Sequence, residues 1–241
     1  MTQRTELRYS GKAKRVWRTP DPGLCIIEFT DDATAFNGEK RGSIGGKGRI
    51  NAATTAIFSE LVEQRGVPTH FLELLSPTDV LARSVEIVPV EVVVRNLAAG
   101  SFSKRLGVPE GVELKRPIVE FSYKRDDLGD PLLTRSHIEV LELAPADVVE
   151  QLEERALEVN GILAPHLAER GITLVDFKLE FGHTAEGVLL LADEISPDTC
   201  RFWDATTGEK LDKDRFRRDL GNVEEAYEQL LERLGRVGVT A

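Results

Sequence analysis

The chain has 241 residues, of which 41% are hydrophobic and 30% are charged, and its formal net charge is −10. This composition is typical of a soluble globular protein with one core or two lobes. The acidic balance argues against a nucleic-acid partner, which would favour a basic surface. No apolar run approaches the roughly 20 residues of a membrane span, and the first residues carry no apolar segment of a secretory signal. We therefore expect a cytoplasmic protein with no membrane partner.

The first part of the chain has the pattern of β structure. Lys14–Trp17 and Cys25–Phe29 are typical of strands joined by a turn at residues 19–23. The polar, glycine-rich stretch from Asp31 to Arg49 is predicted to be a loop. A helix is predicted to begin at Asn51 and to end at Gly66.

A boundary between two lobes is predicted near residue 85. Before it, Ser76 as a cap and Pro77 at the first helical position predict a short helical turn. After it, Val85–Val94 is apolar enough for a central strand, although Pro89 marks an irregularity. We therefore predict a small β-rich lobe over residues 1–84 and a larger lobe over residues 85–241.

The second part mixes helices and strands. A long amphipathic helix is predicted from Pro145 to Gly171, followed by strands at Thr173–Phe181 and Val188–Ile195 and a last helix at Val223–Leu234. The elements show no regular βαβ alternation. The sequence therefore favours an α+β fold over a doubly wound sheet.

The strongest chemical signal lies in these two late strands. Asp176, Lys178 and Glu180 alternate along the first strand and should share one face, although an ordinary half-buried strand gives the same pattern. The second strand ends in Asp193 and Glu194, and unpaired charge at a buried edge is costly. Mg²⁺ typically takes one or two carboxylates together with nucleotide phosphates, and Glu180 with Asp193 would supply them. A register slip of one residue would present Glu194 instead, and the sequence does not choose.

Two other segments carry candidate anion-binding residues. Gly11, Lys12 and Lys14 would hold a polyphosphate, or they would form a solvated strand face. They do not form a Walker A loop, and residues 45–48 lack the hydroxyl residue after the lysine. Arg95 at the end of an apolar strand, with Ser101 nearby, is typical of a phosphate or carboxylate clamp, or of a surface salt bridge.

The remaining candidates point away from covalent catalysis. No Ser-His-Asp or Cys-His set stands out, so a protein nucleophile is not indicated. The histidines show no ligand spacing and are interpreted as structural or surface residues: His70, His137, His166 and His183.

Five motifs, taken in order, resemble the SAICAR synthetase (phosphoribosylaminoimidazole-succinocarboxamide synthase) family. The resemblance covers nearly the whole chain. The motifs are Tyr9-x-Gly11-Lys12-Ala13-Lys14, Glu91-x-x-x-Arg95-Asn96-x-x-Ala99-Gly100-Ser101, Lys124-x-Asp126-x-x-x-Asp130-Pro131, Leu174-Val175-Asp176-Phe177-Lys178-x-Glu180-Phe181-Gly182 and Asp193-Glu194-x-Ser196-Pro197-Asp198-x-x-Arg201-x-Trp203-Asp204.

The resemblance implies a fold and a reaction. The small β-rich lobe would resemble the ATP-binding lobe of kinases and pack on the larger α+β lobe, with ATP in the cleft. The enzyme would use ATP to join L-aspartate to 5-amino-1-(5-phosphoribosyl)imidazole-4-carboxylate in purine biosynthesis, giving the succinocarboxamide, ADP and phosphate. We also expect Mg²⁺ as cofactor and a homodimer.

The resemblance also implies a role for each candidate. Gly11, Lys12 and Lys14 would contact the ATP phosphates, the segment Val85–Val90 with Glu91 would hold the adenine side of the nucleotide, and Glu180 with Asp193 would bind Mg²⁺. Asp176 and Lys178 would be catalytic groups near the imidazole. The other substrate-binding residues would be Arg95, Ser101 and Arg201 for the ribonucleotide phosphate, and Lys124, Asp126 and Asp130 in a loop that assists aspartate.

Two other functions fit the same residues. A small-molecule kinase would transfer phosphoryl groups in the same cleft without the ligation. A nucleotide-binding regulatory protein would bind ATP without turnover and would not need paired carboxylates near Lys178.

Overall fold

The computed structural model describes residues 3–35 and 38–235, and the first part of this range folds around a five-stranded antiparallel sheet. In chain order its elements are β1 (Leu7–Ser10), β2 (Lys14–Arg18), β3 (Leu24–Phe29), β4 (Asp32–Ala35), β5 (Lys40–Ser43), α1 (Lys47–Glu63), β6 (Phe71–Leu74) and β7 (Asp79–Arg83). The sheet has the order β1-β2-β3-β7-β6, and β4 with β5 forms a separate hairpin. Helix α1 covers the sheet by packing Ala52 and Ala56 against Phe29 and Phe71.

The rest of the chain folds around a larger sheet. Its elements are β8 (Glu86–Ile87), β9 (Val90–Leu97), α2 (Gly100–Leu106), β10 (Glu113–Tyr123), β11 (Leu132–Leu133), α3 (Arg135–Val140), α4 (Ala146–Ala168), β12 (Ile172–His183), β13 (Leu189–Ala192), β14 (Cys200–Asp204), α5 (Asp214–Arg217) and α6 (Val223–Leu234). The main order is β11-β10-β9-β12-β13, and both β8 and β14 also pair with β12. The predicted α+β fold is confirmed.

Strand β12 is the centre of this sheet, and its two faces have different roles. Phe177, Leu179 and Phe181 point into the main core, where they join residues such as Leu152 and Leu163 of α4. Burying each such side chain contributes about 1.5–3 kcal/mol. Because side chains alternate along a strand, the polar residues of β12 lie on the opposite face, towards the first sheet.

Helix α1 begins earlier than the sequence predicts. It starts at Lys47 rather than Asn51, because the Asp31 carboxylate accepts hydrogen bonds from the backbone N–H groups of Gly46 at 3.1 Å and Gly48 at 2.9 Å. These bonds satisfy donors that a helix start leaves without intrahelical partners. The predicted loop over residues 31–49 also contains the β4–β5 hairpin, and its residues 36 and 37 lie outside the described residues.

The predicted helical turn at Ser76 and Pro77 is wrong. These residues form the connection between β6 and β7, where the Ser76 hydroxyl accepts hydrogen bonds from the backbone N–H groups of Thr78 and Asp79. The predicted long helix is present as α4 and runs through Pro165. None of the described helices is long and apolar enough to span a membrane.

The change from one sheet to the other occurs near residue 84, but packing crosses this point. Tyr227 and Leu231 of α6 pack against Ile50 of α1. The division of the chain into lobes of residues 1–84 and 85–241 stays a prediction.

Candidate active site

A cavity of about 640 Å³ lies between the two sheets and receives side chains from both. Apart from Val90, every residue predicted to bind the nucleotide or the metal lines this cavity, and so do the three residues of the predicted aspartate loop. Its charged and polar lining includes Gly11, Lys12, Lys14, His70, Glu91, Lys124, Asp126, Asp130, Lys178, Glu180, Asp193 and Glu194.

One end of the cavity is apolar. Val16 and Ile27 of the first sheet face Val85 and Ile87 at the start of the larger sheet. Val90, which the resemblance placed beside Val85, is fully buried in the main core and does not line the cavity. This apolar slot, lined by Val16, Ile27, Val85 and Ile87, suits a flat ring such as a nucleobase.

The strand β8 at this slot depends on a glycine. It pairs with β12 with Ile87 opposite Gly182. A Cβ atom on Gly182 would lie 2.8 Å from the Glu86 carbonyl oxygen and 2.8 Å from a Val85 methyl group. Only glycine therefore lets β8 approach β12 this closely without displacement.

A cluster of lysines and carboxylates occupies the middle of the cavity. The Lys178 ammonium donates to Glu180 at 2.5 Å and to Glu91 at 2.8 Å, and it lies 3.7 Å from Asp193. Lys124 donates to the same Glu180 oxygen at 2.7 Å. The predicted shared face of β12 is thus confirmed, because Lys178 and Glu180 meet side chains of neighbouring strands on that face.

The charges within this cluster shift the pKa values of its members. Burial alone would raise the pKa of the Glu180 carboxyl, but the charges of Lys178 and Lys124 outweigh it and hold that pKa below its usual value. Burial likewise disfavours the charged Lys178, yet Glu180 and Glu91 raise its pKa above the ordinary value. Both groups are therefore ionised at neutral pH.

Asp193 and Glu194 both face Lys14. The Lys14 ammonium contacts Asp193 and lies 2.8 Å from a Glu194 oxygen. Consecutive side chains of a regular strand point to opposite faces, but Asp193 has a φ of +60°, so the backbone turns there. The sequence could not choose between these carboxylates, because strand alternation holds only along a continuous strand. The strand β13 ends at Ala192, before both carboxylates.

The hairpin that leads to this turn sets the register between β12 and β13. The Thr184 backbone N–H donates to the Val188 carbonyl across a three-residue connection, Ala185 to Gly187, and Gly187 has a φ of +81°. This geometry places Glu180 opposite Ala192.

A second polar cluster, here called the arginine cluster, consists of Arg95, Asp176, Arg201, Ser101 and Glu120. Arg95 donates to Asp176 at 2.6 Å, to Glu120 at 2.7 Å and to the Ser101 hydroxyl at 3.2 Å. Arg201 donates to both Asp176 oxygens at 2.9 Å. These residues do not line the cavity itself, but Asp176 lies two residues from Lys178 on the same face of β12.

Sequence reasoning missed two residues that join the arginine cluster to the cavity. Asp214 of α5 accepts from Arg201 at 2.9 Å and from Arg217 at 2.7 Å, and Arg217 lines the cavity. Burial alone would raise the pKa of Asp214, but these two arginines lower it to about 2. The basic run at residues 215–218 was the available signal, although nothing local showed which way it faces.

Gly100 is required beside this cluster. Its φ is +54°, in the left-handed region that favours glycine. A Cβ atom there would lie 2.5 Å from an Arg201 guanidinium nitrogen. The glycine in the predicted motif therefore makes room for an arginine 101 residues further along the chain.

Lys47, the lysine in residues 45–48, does not belong to a Walker motif. Its partner is a buried carboxylate. Lys47 is 0% exposed and donates to Asp198 at 2.9 Å, while the Tyr227 hydroxyl donates to the other Asp198 oxygen at 2.8 Å. Burial would raise the pKa of Asp198, but Lys213 and Lys47 lower it below its usual value. This pairing anchors the segment that follows Asp193 to helices α1 and α6.

The loop of Lys124, Asp126 and Asp130 lies at the mouth of the cavity. Lys12 of the first sheet donates to Asp126 at 2.8 Å, so an ion pair crosses from one sheet to the other. Asp130 has a φ of +50° and accepts from the Arg125 backbone N–H at 3.1 Å. The loop thus carries acidic groups next to a lysine predicted for phosphate.

His70 differs from the other three histidines. It is buried, lines the cavity and places its Nε2 3.1 Å from the Asp193 carbonyl oxygen. Burial and then the charge of Lys14 lower the pKa of His70 to about 3, so the imidazole is neutral at neutral pH. The interpretation of His70 as a structural or surface residue did not include its contact with the turn at Asp193 and Glu194, here called the carboxylate turn, which is 123 residues away in sequence.

Comparison with known proteins identifies the family. The SAICAR synthetase family matches residues 7–234 of the chain. The chain belongs to the SAICAR synthetase family. The phosphoribosylaminoimidazole-succinocarboxamide synthase of Brevibacillus brevis is 61% identical over 97% of this chain and 98% of its own length. The predicted resemblance is confirmed.

Solved structures of the family agree with the fold. The phosphoribosylaminoimidazole-succinocarboxamide synthase of Ehrlichia chaffeensis is 42% identical and superposes with a TM-score of 0.94 over 97% of this chain and 100% of its own. A SAICAR synthetase in complex with ADP is 48% identical, with a TM-score of 0.92 and the same coverage. The predicted function is therefore confirmed: the chain is an ATP-dependent ligase that joins L-aspartate to 5-amino-1-(5-phosphoribosyl)imidazole-4-carboxylate in purine biosynthesis.

Proposed function

We propose that the two polar clusters divide this reaction between them. The cavity with its lysines and carboxylates holds ATP, and the arginine cluster holds the phosphate of the ribonucleotide. The observation that carries the proposal is the shared face of β12, where Asp176 in one cluster and Lys178 in the other are separated by a single residue. A carboxylate held between them would lie next to the terminal phosphate of ATP.

The chemistry needs this neighbourhood. A carboxylate is a poor acyl donor, because its oxygen is a bad leaving group. Phosphorylation by ATP makes that oxygen a good leaving group, and the aspartate amine then attacks the acyl phosphate and releases inorganic phosphate. Phosphoryl transfer depends on positioning and charge neutralisation more than on a protein nucleophile. The cavity is lined with lysines, and burial raises the pKa of its Cys25 thiol to about 11, so that this thiol is not an activated nucleophile.

Lys14 and Lys178 are the proposed neutralising groups. Both ammonium groups lie among carboxylates in the cavity, so their charge is held in place before a substrate arrives. Fixed charges in a site shielded from water need little reorganisation during the reaction. Gly11 and Lys12, in the turn between β1 and β2, would cover the phosphates from the other side, as Lys12 already reaches across the cavity mouth.

Glu180 and Asp193 are the proposed Mg²⁺ ligands. Among the described residues no three His, Cys, Asp or Glu side chains gather closely enough to hold a metal by themselves. Mg²⁺ does not require such a set, since it is commonly bound by one or two carboxylates and nucleotide phosphates. The donors fit, because the Lys178 ammonium already lies between Glu180 at 2.5 Å and Asp193 at 3.7 Å. When bound, Mg²⁺ would neutralise charge on the transferred phosphoryl group.

The nucleotide orientation follows from the shape of the cavity. The apolar slot at Val16, Ile27 and Ile87 would take adenine, and Glu91 would lie between the base and the lysines. The related structure that binds ADP supports nucleotide binding in this family. The phosphates would then extend towards Lys14 and Lys178.

The arginine cluster is preorganised for a phosphate. Asp176, Glu120 and Asp214 hold the guanidinium groups of Arg95 and Arg201 in fixed orientations, and Ser101 adds a hydroxyl. Guanidinium groups match phosphate oxygens in a bidentate geometry. We further propose that Lys124, Asp126 and Asp130 at the cavity mouth assist L-aspartate.

The test is a coupled assay that follows ADP release and product together. The expected result is one ADP per succinocarboxamide, with ADP release dependent on both the ribonucleotide and aspartate. ADP release with the ribonucleotide alone, and no aspartate in the product, would show a kinase. Binding of ATP without any turnover would show a regulatory protein.

Two properties of the whole protein complete the proposal. We propose a homodimer in the cytoplasm. Light scattering on the purified protein tests the dimer, and a mass near that of one chain would contradict it.

A further inference from the structure

The two sheets meet directly beside the proposed metal ligands. Residues 68–70, which precede β6 in the first sheet, run alongside β13 of the larger sheet. The Leu191 backbone N–H donates to the Pro68 carbonyl at 3.0 Å, and the His70 backbone N–H donates to the Leu191 carbonyl at 2.8 Å. Leu191 is only two residues before Asp193. The two sheets are therefore joined by backbone hydrogen bonds immediately before the carboxylate turn.

The His70 side chain extends this contact onto the turn itself. Its Nε2 lies 3.1 Å from the Asp193 carbonyl oxygen, and the residue is only 6% exposed. A carbonyl oxygen only accepts hydrogen bonds, so Nε2 must carry the hydrogen in this contact. The imidazole therefore fixes the peptide group that separates Asp193 from Glu194.

This peptide group needs to be fixed. Asp193 has a φ of +60°, a left-handed conformation that is uncommon outside glycine, although aspartate adopts it more readily than most residues. Such conformations persist only where the surrounding structure enforces them. A relaxed, extended backbone at Asp193 would send one of the two carboxylates away from Lys14.

We propose that His70 is a positioning residue for the metal site: its hydrogen bond to the Asp193 carbonyl holds the left-handed turn that directs Asp193 and Glu194 into the cavity. This inference rests on the proposed function, because it takes Asp193 as a Mg²⁺ ligand. His70 acts on the carboxylates through the backbone, because its hydrogen bond goes to the Asp193 carbonyl oxygen.

The test measures ADP affinity by calorimetry with and without Mg²⁺. Gln carries an N–H donor the same number of bonds from Cβ as the histidine Nε2, whereas the Asn donor is one bond shorter. In wild type and His70→Gln we expect Mg²⁺ to tighten ADP binding. In His70→Asn and His70→Ala we expect that gain to shrink about 10-fold, the usual effect of losing an outer partner of a metal ligand. ADP affinity without Mg²⁺ should stay within about 2-fold of wild type in all of them, because the direct nucleotide contacts remain.

The controls separate this inference from the proposed function. His183→Gln, on β12 outside the cavity lining, should behave as wild type. Glu180→Gln should lose the Mg²⁺ gain; if it does not, the metal assignment fails, and the role of His70 fails with it. If Glu180→Gln loses the gain but His70→Asn keeps it, only the role of His70 is overturned. An equal loss of affinity with and without Mg²⁺ in His70→Asn would show general damage to the fold and would also overturn it.

Discussion

The two polar clusters share one sheet face but are built from different cations. The cavity uses lysines, each a compact charge on a flexible chain, and Lys178 pairs with three carboxylates, on β9, on its own strand β12 and in the turn after β13. The arginine cluster uses planar guanidinium groups, each held by carboxylates on several edges. Lysine suits a site where phosphate and metal must exchange partners during the reaction, whereas arginine suits a phosphate that only needs to be held. The difference supports the proposal that the reacting end lies at the lysines and the anchoring end at the arginines.

The largest expected effect comes from the lysine side of this comparison. Glu180→Gln removes a charge that contacts Lys178 and Lys124 and that we propose binds Mg²⁺. We expect kcat to fall at least about 100-fold, as for loss of one main electrostatic group in an active site. Steady-state assays over a range of Mg²⁺ concentrations measure this. Glu186→Gln, in the exposed turn of the same hairpin, is the matched control, and a near-normal rate for Glu180→Gln would remove the metal assignment.

A second prediction tests the anchoring role of the arginines. Arg201→Lys keeps the charge but loses the fork that binds Asp176 and Asp214. We expect KM for the ribonucleotide to rise about 10-fold, since hydrogen bonds to charged groups contribute about 1.5–3 kcal/mol, while KM for ATP stays near wild type. Arg135→Lys, whose ion pair with Glu153 is exposed, serves as the control. Equal changes in both KM values would mean that the clusters are not separate sites.

A third prediction concerns the nucleotide slot. Gly182→Ala forces β8 away from β12, because its Cβ atom would lie 2.8 Å from the Glu86 carbonyl. Such crowding costs about 1–3 kcal/mol, so we expect KM for ATP to rise several-fold without a matching change for the ribonucleotide. Gly161→Ala in α4, where a Cβ atom has no neighbour within 4 Å, should leave KM values unchanged. An unchanged KM for ATP in Gly182→Ala would place adenine elsewhere.

The last prediction concerns stability rather than catalysis, and it is a change in acid stability. The pKa of His70 is lowered from 6.5 to about 3 in the folded protein, so the unfolded chain binds its proton first. The stability that depends on neutral His70 is complete above pH 6.5 and is lost as pH falls towards 3, by at most about 1.4 kcal/mol per pH unit. Urea unfolding at several pH values should show a shallower acid decline for His70→Gln than for wild type. Identical slopes would contradict the buried, neutral imidazole.

Local sequence patterns predicted the chemistry better than its assembly. Alternation along β12 predicted that Asp176, Lys178 and Glu180 share a face, because strand geometry fixes that relation within a few residues. The sequence could not show whether Asp193 or Glu194 faces the cavity, because the left-handed conformation of Asp193 ends the strand alternation. Aspartate adopts this conformation more readily than most residues, but nothing in the neighbouring sequence indicates that Asp193 does so.

Contacts between residues far apart in the sequence could not be predicted either. The start of α1 is set by Asp31, which lies outside the helix, and Lys14 meets Glu194 across 180 residues. Asp214 and Arg217 belong to a four-residue helix whose position depends on packing around the larger sheet. Such contacts follow from the tertiary fold, so the resemblance to a family supplied roles that spacing alone did not.

The most direct test of the division between the clusters is a crystal structure with Mg²⁺, ADP and 5-amino-1-(5-phosphoribosyl)imidazole-4-carboxylate bound. The account predicts the metal on Glu180 and Asp193, and the ribonucleotide phosphate within about 3 Å of the Arg95 and Arg201 guanidinium groups. A ribonucleotide phosphate bound to Lys14 and Lys178, with the arginine cluster still paired only to its own carboxylates, would contradict it.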